Sequence, residues 1–146
     1  MLTGSLALYD STLNGLLAGS FPALQSTPMT AVLLGPSYAP DAVSHNRFAD
    51  VSQHETPSLA AVRLQLTGVS VATASFHTDD LVFGNPVTLG PVRYLVFVVG
   101  LPAGLNVDSP LLGYADLQPT GGALEAQRGR FSVAAPTGGW FQLTRI

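Results

Sequence analysis

Glycine and proline cut this chain into short apolar runs, none long enough for more than a strand or a short helix. Residues 29–34 form one such run, closed by Gly35 and Pro36. Residues 94–101 form the strongest, bounded by Arg93, Pro102 and Gly104, and fall well short of the ~18 apolar residues that read as a membrane span. Further runs at 81–83, 92–99, 111–117, 130–134 and 140–146 have the length and residue types of strands. The fifteen glycines and eleven prolines lie between the runs rather than in one tract, which marks turns rather than disorder. With 146 residues there is room for one ordinary domain. The expected fold is therefore mainly β: a single compact β-rich domain, a small barrel or sandwich, with an N-terminal helix or arm.

Leu2, Leu6, Tyr9, Leu13, Leu16 and Leu17 recur at steps of three and four, predicting one apolar stripe on a helix over 5–18, with an extended arm as the competing reading. Gly19 and Pro22 end it. Residues 1–22 are thus read as a helix or docking arm and 23–146 as the β-rich domain. The stripe has no obvious place inside a β-rich core, so it is expected to dock on a neighbour. The same segment lacks a basic stretch and carries Asp10, which argues against a cleaved signal. Residues 37–57 are polar and predict a long excursion with a turn of helix near 43–48. From Leu59 the apolar residues alternate, break at Gly68, and resume to Phe76, predicting a bent strand or a hairpin.

Only 10% of the residues are charged, against roughly 25% in an average domain, while 47% are hydrophobic. The exterior must be largely neutral, and part of it is expected to be covered by partners. All the basic residues are arginines, only six in number, and the net charge is −3, which disfavours a nucleic-acid backbone as ligand. Without cysteine there is no disulfide, thiolate metal site or cysteine nucleophile. His45, His54 and Glu55 are potential metal ligands, but nine positions separate the histidines across irregular sequence, unlike the four-residue spacing of a helical zinc motif. Asp79 and Asp80 beside His77 fit a turn better than a calcium site. Gly35-Pro36-Ser37-Tyr38-Ala39 only partly matches a nucleophile elbow, and phosphate-cradling motifs are missing. The reading is of a non-enzyme with no cofactor. Arg93, inside an apolar strand, is expected to reach a carboxylate or a protomer boundary.

Several strings, in order along the chain, resemble a class of small structural proteins of tailed bacteriophages. They are Tyr9-Asp10-Ser11-Thr12-Leu13, then Val32-Leu33-Leu34 with Tyr38-Ala39-Pro40-Asp41, then Phe48-Ala49-Asp50-Val51. Val92-Arg93-Tyr94-Leu95-Val96, Leu111-Leu112-Gly113-Tyr114-Ala115-Asp116 and Gly129-Arg130-Phe131-Ser132-Val133 follow. Among virion proteins, the size and β-rich pattern look most like a head decoration, or cement, protein. Arginine without lysine, no cysteine and abundant proline suit a thermophilic siphovirus, although a GC-rich genome explains the first equally well.

The resemblance implies a virion protein made in the host cytoplasm and bound to the outer surface of the capsid. Its partners would be the major capsid protein and further copies of itself, as a trimer, with neither nucleic acid nor membrane. The assembly interface expected from this reading comprises Leu2, Leu6, Tyr9, Leu13, Leu16, Leu17 and Arg93. A minor tail or neck protein would share the resemblance, and a carbohydrate-binding module on the virion surface would require an exposed aromatic cluster.

Overall fold

The computed structural model describes residues 2–143. Its elements are β1 (Leu2–Thr3), β2 (Ala7–Leu8), α1 (Asp10–Ala18), β3 (Met29–Leu34), α2 (Pro57–Ala60), β4 (Leu64–Gln65), β5 (Ser70–Ala72), β6 (Ser75–His77), β7 (Leu81–Val92), β8 (Tyr94–Val99), β9 (Leu111–Asp116), β10 (Leu124–Val133) and β11 (Phe141–Leu143). The chain is mainly β, with antiparallel sheets in one domain, as its punctuated apolar runs predict.

A five-stranded sheet in the order β2-β9-β8-β3-β4 runs through the middle of the molecule. β3 and most of β8 are buried on both faces, which explains why their sequences are unbroken apolar runs rather than alternating ones. On one face Ala31, Leu33, Leu95 and Phe97 meet Phe76, Leu81, Phe131 and Trp140, which come from the four-stranded sheet β1-β11-β6-β5, the β10-β7 ribbon and the turn before β11. On the other, Val32, Leu34, Val96 and Val98 are covered by Tyr9, Tyr38, Phe48 and Val51. The polar-looking excursion after β3 is therefore a lid over the second core. It is sewn down by backbone bonds from Phe48 N–H to the Ser109 carbonyl (2.8 Å) and from Leu111 N–H to the Asn46 carbonyl (3.2 Å). Its helical content is a single 3-10 turn each at Phe48–Asp50 and Ser52–His54, later than the turn expected near 43–48.

The N-terminal segment corrects the expected helix over 5–18. Gly4 has φ +139°, a region closed to a right-handed helix, and β2 pairs with β9 through Ala7↔Tyr114 and Leu8↔Gly113. A Cβ on Gly113 would come within 2.6 Å of the Ala7 carbonyl oxygen, so only glycine permits this approach. The helix begins at Asp10 and ends at Gly19, whose left-handed φ of 71° suits glycine at a helix terminus. Leu6 and Leu8 are buried in the first core and Tyr9 in the second. Of the stretch read as a helix or docking arm over 1–22, the described residues 2–9 are therefore built into the fold by strand pairing and core burial rather than standing apart as an arm.

Two further expectations shift. Pro57 opens α2 and its turn buries Leu59, so the alternating stretch from Leu59 supplies only the two-residue β4. The hairpin foreseen around Gly68 turns instead at Thr73–Ala74, between β5 and β6, with φ of 54° and 57°. Those angles define the turn type that matches strand twist, but Thr and Ala occupy positions that glycine or asparagine adopts with less strain. Of the strand expected at 140–146, residues 144–146 lie outside the described part.

Candidate functional site

The predicted apolar stripe divides into two groups. Leu6 is 2% exposed and Tyr9 fully buried, so both are unavailable to a partner, which corrects their assignment to an assembly interface. The physical reason is the β2–β9 pairing, which buries Leu6 and Leu8 on one side of an extended segment while Ala7 faces out, and leads Tyr9 into the second core. Leu13 is half-buried against the first core. Leu16 and Leu17, on the outward side of α1, are 38% and 89% exposed. Leu2 lies on β1 opposite Leu143, with its side chain outside the described residues.

Leu16 and Leu17 border an apolar hollow that periodicity alone did not reveal. One lobe, about 150 Å³, is lined by Leu8, Leu13, Leu16, Leu17, Phe141 and Leu143. A neighbouring lobe of about 210 Å³ shares Leu16, Phe141 and Leu143 and reaches Leu24, Val71 and Phe76. Among the described residues, no charged side chain lines either lobe. The hollow is the gap between α1 and the inner face of the four-stranded sheet, where the Phe76 and Phe141 rings stack at 5.4 Å. Val71 and Leu143 were readable as strand residues, but the exposure of Val71 comes from the place of β5 at the edge of its sheet, which the sequence does not give.

Arg93 is placed between β7 and β8, away from this hollow. Its Nε and Nη2 donate to Asp116 Oδ1 and Oδ2 at 3.2 and 3.1 Å, and its guanidinium lies 5.2 Å from the centre of the Tyr94 ring. The paired geometry satisfies a cation that neighbouring apolar strands could not solvate. The hydrogen bonds from Arg93 hold the Asp116 carboxyl below the usual carboxylate range. Arg93 is thus satisfied within its own chain.

A second cluster lies within the lid itself. Tyr38 sits between His45 and His54, each ring centre 5.4 Å away, with the edge of Tyr94 completing its surroundings. Its hydroxyl is 2.9 Å from His45 Nδ1 and 2.8 Å from the Tyr9 hydroxyl. The Asp41 backbone N–H also donates to His45 Nδ1, at 3.3 Å, so this nitrogen accepts. The hydrogen-bond order follows: Tyr9 donates to Tyr38, and Tyr38 donates to His45. Burial pushes the Tyr38 hydroxyl up to about 12 and raises that of Tyr9 further. Both phenols stay protonated and act as structural donors. Burial, and then the neighbouring His45, lower the His54 pKa below the ordinary imidazole value.

The sequence-level chemical candidates resolve into local structure. Glu55 accepts from Arg63 Nε (2.9 Å) and Nη2 (2.6 Å), so its carboxylate is committed and does not join the histidines. Among the described residues no three metal-ligating side chains converge. Asp79 accepts from the Thr67 hydroxyl and Asp80 from the Ala135 backbone N–H, both as loop ties. Ser37 Oγ is 2.9 Å from His54 Nδ1, but no carboxylate among the described residues bonds that imidazole to orient it as a base. Every described aromatic side chain is buried or half-buried, and the Trp140 indole N–H is spent on the Thr78 hydroxyl at 2.8 Å. An exposed stacking platform for sugars is thus missing from the described surface.

Comparison with protein-family profiles, curated proteins and solved structures finds no match.

Proposed function

We propose that this chain is a capsid decoration protein, a non-enzymatic protomer that binds the outside of a tailed-phage head and stabilises the shell by bridging major capsid proteins. The observation that carries the reading is the apolar hollow flanked by Leu16, Leu17 and Leu143, the last two 89% and 63% exposed, with no charged side chain among its described lining residues. Contiguous apolar surface on a small protein with few charges favours association over solvation, at roughly 25 cal/mol per Å² covered. The ordered resemblance to phage structural proteins supplies the kind of partner.

Mechanically, such a protein needs no catalytic group. Packaged DNA pushes capsid subunits apart, and a ligand that binds only the closed arrangement lowers the free energy of that arrangement. Linked copies multiply modest individual contacts through effective concentration. The rigid two-sided core behind the hollow would let it transmit that restraint.

The test uses heads of the phage that encodes the chain, assembled without it. Added protein is expected to cosediment with intact heads and to raise the temperature at which they release DNA, while Leu17→Asp weakens binding at least tenfold without unfolding the protein. Failure of the unsubstituted protein to bind heads overturns the proposal.

A further inference from the structure

We propose that His45 is an acid-operated latch: a proton taken up at its Nδ1 reverses the hydrogen-bond chain through Tyr38 to Tyr9 and frees residues 36–45 of the lid, while the sheets beneath stay folded. The inference rests on hydrogen-bond geometry and is independent of the capsid reading.

At neutral pH the chain runs one way. His45 Nδ1 accepts twice, from the Tyr38 hydroxyl at 2.9 Å and from the Asp41 backbone N–H at 3.3 Å, so its ring proton sits on Nε2. Tyr38 in turn accepts from the Tyr9 hydroxyl at 2.8 Å. Each hydroxyl thus has an acceptor, and among the described residues no buried side-chain oxygen or nitrogen lacks a partner.

Acid reaches this arrangement at its outer end. His45 is half-buried, whereas Tyr38 is 2% exposed and Tyr9 fully enclosed. An imidazolium carries protons on both nitrogens and accepts nothing. Nδ1–H then donates to the Tyr38 oxygen, the Tyr38 hydroxyl swings to donate to Tyr9, and the Tyr9 proton loses the one acceptor that the described residues give it. The Asp41 N–H loses its acceptor as well. A buried hydroxyl donor without a partner is unfavourable, and withdrawal of Tyr38 toward water relieves it.

The segment that moves is lightly tied. Between 36 and 45, the one backbone hydrogen bond described that reaches beyond the lid runs from Asp10 N–H to the Ala42 carbonyl, at 2.8 Å. Tyr38 is its single buried residue. The rest of the lid is held separately, by the bond from Leu111 N–H to Asn46 and by Phe48 and Ala49 N–H on the Ser109 and Val107 carbonyls, so opening stops at Asn46. Within the lid, Asp41 and Asp50 favour a charge on His45, and His54 on the other side of Tyr38 disfavours it; Arg47 lies beside Asp50. The elements packed against the lid bring the phenols of Tyr9, Tyr94 and Tyr114, the Arg93–Asp116 pair behind Tyr94, and Asp10 at the start of α1. Of all these groups, Tyr38 and the Asp41 N–H alone bond to the His45 ring among the described residues.

NMR of the intact chain from about pH 7.5 to about pH 5 tests the latch, reading the His45 ring nitrogens and the exchange of single amides corrected for the intrinsic effect of pH. The expected neutral tautomer carries its proton on Nε2. As His45 becomes charged, protection of the Asp10, Tyr38 and His45 amides, which donate to lid carbonyls, should fall roughly tenfold, while Val32 and Val96 in β3 and β8 hold theirs. His45→Gln keeps an acceptor for Tyr38 but takes no charge, and should abolish the fall; His54→Gln should retain it. If His45→Gln does not fold, the tautomer and the exchange pattern of the unsubstituted chain decide. The proposal is overturned by a neutral tautomer with its proton on Nδ1, by lid protection that does not change when His45 is charged, or by a loss shared equally with β3 and β8. The same fall in folded His45→Gln, or its disappearance in His54→Gln, also overturns it.

Discussion

His54 and His45 flank Tyr38 within the lid, and the environment of His54 gives the folded protein a definite response to acid. Burial and the neighbouring His45 depress the His54 pKa from its ordinary value of 6.5, so the folded state binds that proton less readily than the unfolded chain. The resulting stability is complete above about pH 6.5 and declines as the pH falls below it, levelling once the depressed folded value is passed. Asp41 and Asp116, both depressed by hydrogen bonds, lose their contributions only further into the acid range. Urea midpoints measured from pH 7.5 downwards should therefore fall below pH 6.5, and the fall should be smaller in His54→Gln; equal slopes in the two proteins would contradict this assignment. At this scale the sequence was partly legible. That Arg93 needed a carboxylate followed from its apolar neighbours, but Asp116 as the partner depends on the β8–β9 register. The Tyr9–Tyr38–His45 chain was not legible, because it joins residues 29 and 7 positions apart across the second core.

Elements separate the readable from the unreadable by burial pattern. β3, β8 and β9 were legible because buried strands show as apolar runs closed by Gly or Pro. The N-terminal segment misled because Leu2, Leu6, Tyr9 and Leu13 satisfy helical spacing, while Leu6 and Leu8 equally satisfy strand alternation. Pairing with β9 decides between them. The consequence reverses the effect expected of an arm. Removing residues 1–19 takes Leu6, Leu8 and Tyr9 from the two cores, and each buried side chain contributes about 1.5–3 kcal/mol. The truncated chain should lack a cooperative thermal transition by circular dichroism. A truncated protein that melts cooperatively near the full chain's temperature would show the segment to be dispensable after all.

For the whole molecule, scarcity of charge leaves apolar residues exposed at several places, and one group of them gathers beside α1. The central sheet takes most large side chains inside, and α1 with the small sheet beside it leaves Leu16, Leu17, Val71 and Leu143 around adjoining apolar lobes that no charged side chain among the described residues lines. Composition announced that some exterior would be apolar; it could not locate the face, since exposure is settled by where sheets end. Nor could composition name a partner, because apolar contacts carry little chemical identity. The decoration proposal therefore meets its most direct test in stoichiometry. Quantitative mass spectrometry of purified virions should count this chain in hundreds of copies per particle, in fixed proportion to the major capsid protein. A count of a dozen or fewer, or its absence from the particle, would contradict the account.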